Sequence, residues 1–110
     1  MHDALTQALA EGRLAAAFEE MLDRYQDKVF HLAVAMLGNE AAAQDLTQDV
    51  FVKVWKALPQ VRAESSLSSW IYTITRNTCL TEIKKRAYRR TLSLATEEVA
   101  LTLVRTISPL

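Results

Sequence analysis

The densest chemistry in this 110-residue chain is a run of cations. Between Ser65 and Ala95 stand six bases, Arg76, Lys84, Lys85, Arg86, Arg89 and Arg90, against one acid, Glu82. Up to Glu64, ten acids accompany six bases, and the formal net charge of the whole chain is +0. A neutral total does not cancel a local field, so the block can attract phosphate. It can equally complement the dipole at a helix C-terminus, and charge alone leaves both readings open. A second set, Asp45, Gln48, Asp49, Val52 and Lys56, falls at helical spacing. Acids, an amide and one apolar contact on one stripe could meet a basic helical partner. On spacing alone, a solvated helix face is the simpler account.

Most other chemistry is missing. No GxxxxGK[ST], GxGxxG or HExxH occurs, and two Gly in the whole chain exclude a phosphate-cradling loop. His31 is isolated between Phe30 and Leu32, as a structural histidine would be. The single Cys, Cys79, allows neither an internal disulfide nor a Cys-based zinc site, and reads as a small packing residue. Glu19/Glu20 and Glu97/Glu98 are adjacent pairs that point to different helix faces. No nucleophile, base and oxyanion set converges, so no enzyme, catalytic residue, metal or cofactor is expected.

The elements that must position these residues are helical. The chain is 50% hydrophobic and 24% charged, a globular composition for one domain, and two Gly and two Pro leave little for β-turns. A first helix runs from about Glu11 to Leu37. Its stripe is Leu14, Phe18, Met21, Tyr25, Val29, Leu32 and Met36, widened by Leu22 and Ala33. Gly38 is its stop and Asn39 the N-cap of the next. Residues 3–10 could add a short fourth helix, with Gly12 against continuity. The second long helix spans about Glu40 to Leu58, ending before Pro59. It turns Leu46, Val50, Val54 and Leu58, with Phe51 and Trp55, toward a core.

A loop, residues 59–66, follows, and Ser65 or Ser66 caps a third long helix to about Arg90. There Leu67, Trp70, Ile71, Ile74 and Thr78 share one face. Ser69, Thr73, Arg76, Asn77, Leu80 and Lys84 share a neighbouring arc, and Tyr72, Cys79 and Ile83 form a second apolar strip. The tail from Thr91 is ambiguous, with Glu97 to Ile107 able to form a short helix. The expected fold is all-α, a compact three-helix bundle with a fourth short helix left open. Residues 1–92 are expected to form the domain and 93–110 a linker or fragment of a second one. There is no signal-peptide pattern and no stretch of about 18 apolar residues, so membrane insertion is not expected and a reducing, cytoplasmic setting is.

Two segments then carry a resemblance. Asp45-Leu46-Thr47-Gln48-Asp49-Val50-Phe51 through Trp55 resembles the acid-Leu-x-Gln-acid-x-Phe-x-x-x-Trp segment of region 2 of bacterial RNA polymerase sigma factors. Trp70-Ile71-Tyr72-Thr73-Ile74-Thr75-Arg76-Asn77, followed by Lys84 to Arg90, resembles the second segment of that region. The match is best to the small extracytoplasmic-function (ECF) group and covers roughly Phe18 to Arg90. Both segments, in order and with a polar loop between them, make the signal specific.

The resemblance implies a transcription-initiation module without catalysis. Its second long helix would dock on the clamp coiled coil of the largest subunit of core RNA polymerase through Asp45, Gln48, Asp49, Val52 and Lys56. The loop and third helix would capture the single-stranded −10 element of promoter DNA, on the non-template strand. Arg62, Glu64, Ser65 and Ser66 would line a flipped-base pocket. Trp70, Thr73, Arg76, Asn77, Lys84 and Lys85 would supply flat surfaces, base-edge groups and backbone cations. Trp70 also reads as a core anchor, and Tyr72 either as a second flat surface or as packing against the first helix. The loop carries Val61-Arg62-Ala63 where the family usually has Phe-Arg-Gly, so base preference does not transfer, and Thr81 stands where an Asp is common. ECF factors also carry a second helical domain that reads the −35 element, which the chain to Leu110 does not include. The competing function is an adaptor or decoy that binds polymerase or an anti-sigma factor without promoter recognition.

Overall fold

A computed structural model describes residues 4–61 and 66–107 of the chain. Four α-helices follow one another: α1 (Ala4–Ala10), α2 (Leu14–Leu37), α3 (Glu40–Ala57) and α4 (Leu67–Ile107), with a 3-10 turn at Leu58–Gln60 before the loop. No strand occurs among the described residues. The open alternative over residues 3–10 is resolved in favour of a helix. α1 buries Leu5 and Ala8, one turn apart, against the core. Gly12, at φ +72°, makes the reversal into α2, which begins at Leu14 rather than Glu11. Beside that turn, hydrogen bonds from Gln7 and Arg13 hold the exposed Glu11 carboxyl below its ordinary pKa.

The joint between α2 and α3 forms as its residues dictate. Gly38 takes the left-handed conformation at φ 70°, and its N–H donates to the Val34 carbonyl at 2.7 Å. Asn39 is extended, and its side-chain oxygen accepts from the Ala42 N–H at 2.9 Å. Glu40 then sits in the first turn of α3, where a negative charge suits the helix dipole.

The chain divides into two units, residues 1–80 and 81–110. The core of the first unit draws on every helix in it. α2 buries Ala17, Met21, Val29 and Ala33, and α3 buries Leu46, Val50, Phe51 and Val54. Leu58 of the 3-10 turn and Ile71 and Cys79 of α4 complete it. Truncating a fully enclosed side chain such as Met21 to Ala would cost about 2–5 kcal/mol. Two buried hydroxyls are satisfied inside their own helices. Thr47 donates to the Ala43 carbonyl and Thr75 to the Ile71 carbonyl, each at 2.7 Å.

The second unit is the C-terminal part of α4. The helix does not stop near Arg90 but continues to Ile107. Within it, Glu82 accepts from Arg86 Nε and Arg89 Nη2, both at 3.2 Å. Two of the six cations of the basic block are therefore partly neutralised one and two turns from an acid. Tyr88, Leu92, Val99 and Leu103 are exposed. Among the described residues, no helix is long and apolar enough to cross a membrane, and no cluster of His, Cys, Asp or Glu could hold a metal ion.

Candidate functional site

Two surfaces of the first unit gather the residues singled out by their chemistry. The first is the outer face of α3. Because Leu46, Val50 and Val54 point inward at i+4 steps, Asp45, Gln48, Asp49, Val52 and Lys56 are turned out, and all five are exposed. Val52, the apolar member of the stripe, is 51% exposed.

This face does not stand alone. Beside it, between α2 and α3, runs an open groove of about 590 Å³ whose lining includes Phe18, Leu22, Gln48, Phe51, Val52 and Trp55. Its walls are set by aromatic packing: the Phe18 ring meets Trp55 edge-on at 5.3 Å and Phe51 at 6.2 Å. Trp55 is the correction here. Its position beside the buried face of α3 suggests a core residue, but 46% of it is exposed. The Phe18 ring packs edge-on against the indole, and close to half of Trp55 stays open to solvent. Sequence reasoning missed Trp55, Phe18 and Leu22 as surface features. The available signal was the number of large apolar residues, too many for the width of one core stripe.

The second surface is the outward arc of α4. Ser66 is its N-cap: the hydroxyl accepts from the Ser69 N–H at 3.4 Å and donates to the Ser69 hydroxyl at 3.2 Å. Ser66 therefore anchors the helix start as well as ending the loop. Thr73, Arg76 and Asn77 follow on one exposed arc, with Thr73 donating to the Ser69 carbonyl at 2.9 Å. Trp70 is half-buried and packs against the core, so it stands at the border between anchor and surface. Tyr72 is 54% exposed, and the strip it was expected to form with Cys79 and Ile83 is not a buried one. Only Cys79 of the three is enclosed. Burial pushes its thiol above the ordinary value, which keeps it protonated and unreactive at neutral pH.

Lys84 and Lys85 belong to the second unit and are exposed there. Arg62, Glu64 and Ser65, expected in a flipped-base pocket, lie outside the described residues.

The sequence that builds these surfaces is similar to known proteins. The model of the family described as Sigma-70 region 2 matches residues 21–89, nearly the span of the sequence resemblance. Over 70 residues the chain is 31% identical to the ECF RNA polymerase sigma factor SigW of Bacillus subtilis, covering 64% of this chain and 37% of that protein. It is 33% identical over 84 residues to the RNA polymerase sigma-H factor of Pseudomonas aeruginosa, covering 76% and 44%. It is 26% identical over 83 residues to the ECF RNA polymerase sigma factor SigE of Mycolicibacterium smegmatis, covering 76% and 32%. The chain spans less than half the length of these relatives.

Proposed function

The chain belongs to the Sigma-70 region 2 family, and from that premise we propose that it is a transcription-initiation module that docks on core RNA polymerase and captures the non-template strand of the melted −10 element. It does so without a catalytic step of its own. The observation that carries this reading is the outer face of α3: Asp45, Gln48, Asp49 and Lys56 stand exposed around Val52, at the lip of the apolar groove.

Magnitudes assign the work on that face. An exposed ion pair contributes about 0.2–1 kcal/mol, so Asp45 and Asp49 cannot supply most of the affinity for a basic coiled coil. Apolar burial yields about 25 cal/mol per Å², and a Trp at the centre of an interface is a common energetic anchor. Val52, Trp55 and the groove therefore supply affinity. The acids and Gln48 supply register and speed of encounter.

On α4, the exposed arc of Thr73, Arg76 and Asn77 supports strand capture. Asn77 carries both a donor and an acceptor, as a base edge requires, while Arg76 offers a cation to the backbone. Lys84 and Lys85 add charge that any sequence would feel.

The test is binding of the chain to a fluorescent −10-type single strand, with and without core polymerase, across a library of central bases. Base-dependent binding is expected. Polymerase binding with no base preference would replace this reading with the adaptor. Binding to neither would overturn it.

A further inference from the structure

A cleft of about 140 Å³ lies between α2 and the first turns of α4, on the flank of the second surface where Tyr72 stands. Tyr25, Lys28, Ser68 and Tyr72 line it, over apolar walls that include Val29 and Ile71. The Tyr25 and Ser68 hydroxyls are 3.1 Å apart, linking helices across 43 residues of sequence. Whichever hydroxyl donates in that pair, the other keeps its own O–H as a donor. Lys28 Nζ is 5.9 Å from the centre of the Tyr25 ring.

The cleft thus combines a cation, paired hydroxyls and a half-exposed ring above an apolar floor. A phosphate needs the first two. The base or sugar attached to that phosphate needs the ring and the floor. A carboxylate partner would use Lys28 but would leave the Tyr72 face idle, so a nucleotide uses more of what is present. The cleft also adjoins the strand-capturing arc. At the helical repeat, Tyr72 is displaced by only about 40° around α4 from Arg76, one turn on.

We propose that this cleft binds one nucleotide of a single strand, with its phosphate on Lys28 and the hydroxyl pair and its base against Tyr72. It extends the track on α4 across to α2. The proposal rests on the strand-capture reading given above and adds a subsite to it.

The test uses the whole chain and a fluorescent −10-type single-stranded oligodeoxynucleotide, with affinity followed through a salt titration. Lys28→Gln is expected to lower the slope of log affinity against log salt by about 0.7, the value of one lost backbone contact on a single strand. Tyr72→Ala is expected to weaken binding at least about fivefold, whereas Tyr72→Phe, which keeps the ring, retains it. A merely structural role for Lys28 would not move the salt slope. If Arg76→Gln lowers that slope and Lys28→Gln does not, the cleft proposal is overturned while strand capture stands. A wild-type chain that binds no strand would overturn both. Loss of polymerase binding in Lys28→Gln, with DNA affinity and slope unchanged, would make the cleft a protein contact and also overturn the proposal.

Discussion

Lys53 of α3 donates to the Thr78 hydroxyl of α4 at 3.0 Å, and that same hydroxyl donates to the Ile74 carbonyl at 2.7 Å. One oxygen thus joins the helix that carries the stripe from Asp45 to Lys56 to the helix that carries the arc of Thr73, Arg76 and Asn77. Thr78→Val removes the acceptor for Lys53 and keeps the side-chain shape. Lys53 is exposed and can return to water, so the expected loss is only about 0.5–1.5 kcal/mol, read as a lower urea midpoint with an unchanged m-value.

The reversal before α3 sets which way its stripe faces. Asn39→Ala leaves the Ala42 N–H without its side-chain acceptor and should destabilise the chain by about 1 kcal/mol. Gly38→Ala places a Cβ on a left-handed residue and should cost about 1–2 kcal/mol, although no atom obstructs it. Thermal melts of the two variants measure both effects.

At the groove, Trp55 and Phe18 touch each other but should behave differently. Trp55→Ala is expected to reduce polymerase binding at least about tenfold, as anchor truncations do, with helical content intact. Asp49→Arg should weaken the same binding without altering single-strand affinity. Phe18→Ala should lower stability as well, because its ring supports Phe51 in the core. Parallel polymerase pull-down and circular dichroism separate the two outcomes.

Asn77→Ala should weaken −10 binding by about 1–3 kcal/mol for some central bases and spare others, if its amide reads a base edge. Neutralising Lys84 and Lys85 should weaken all sequences alike and flatten the salt dependence. Equal losses for every base in Asn77→Ala would reassign that residue to the backbone.

Cys79 should resist iodoacetamide at neutral pH and react promptly once the chain is unfolded in urea. Its thiol is enclosed, and the burial that raises its pKa disfavours the thiolate in the fold. The sign follows. Its contribution to stability is constant below the pKa of the unfolded thiol and declines as pH rises through the alkaline range toward the raised folded value. Fast labelling of the native chain would contradict the enclosed position.

The sequence by itself determined the long helices of the first unit, the Gly38–Asn39 joint and most of the inward faces of α2 and α3, while it left the short α1 open. It also held the two motifs that mark the family. These are local properties: helical periodicity, a Gly–Asn joint and residue spacing within one helix are read without a partner. The exposed stripe Asp45 to Lys56 followed, because the side opposite a buried face must meet solvent. The true end of α4 did not follow. Past Arg90 its apolar residues, Leu92, Val99 and Leu103 among them, are exposed, and periodicity alone marks no stop there.

Tertiary structure decided how far each apolar face is covered and what meets across the helices. Trp55 lies one turn from Phe51 on the same helix, yet one is half open and the other enclosed, because the neighbouring α2 covers only part of that face. The cleft of Tyr25 and Ser68 likewise depends on two helices packing at one register across 43 residues. Periodicity specifies a face of a helix. Only packing specifies what that face touches, and therefore which residues remain exposed to bind something else.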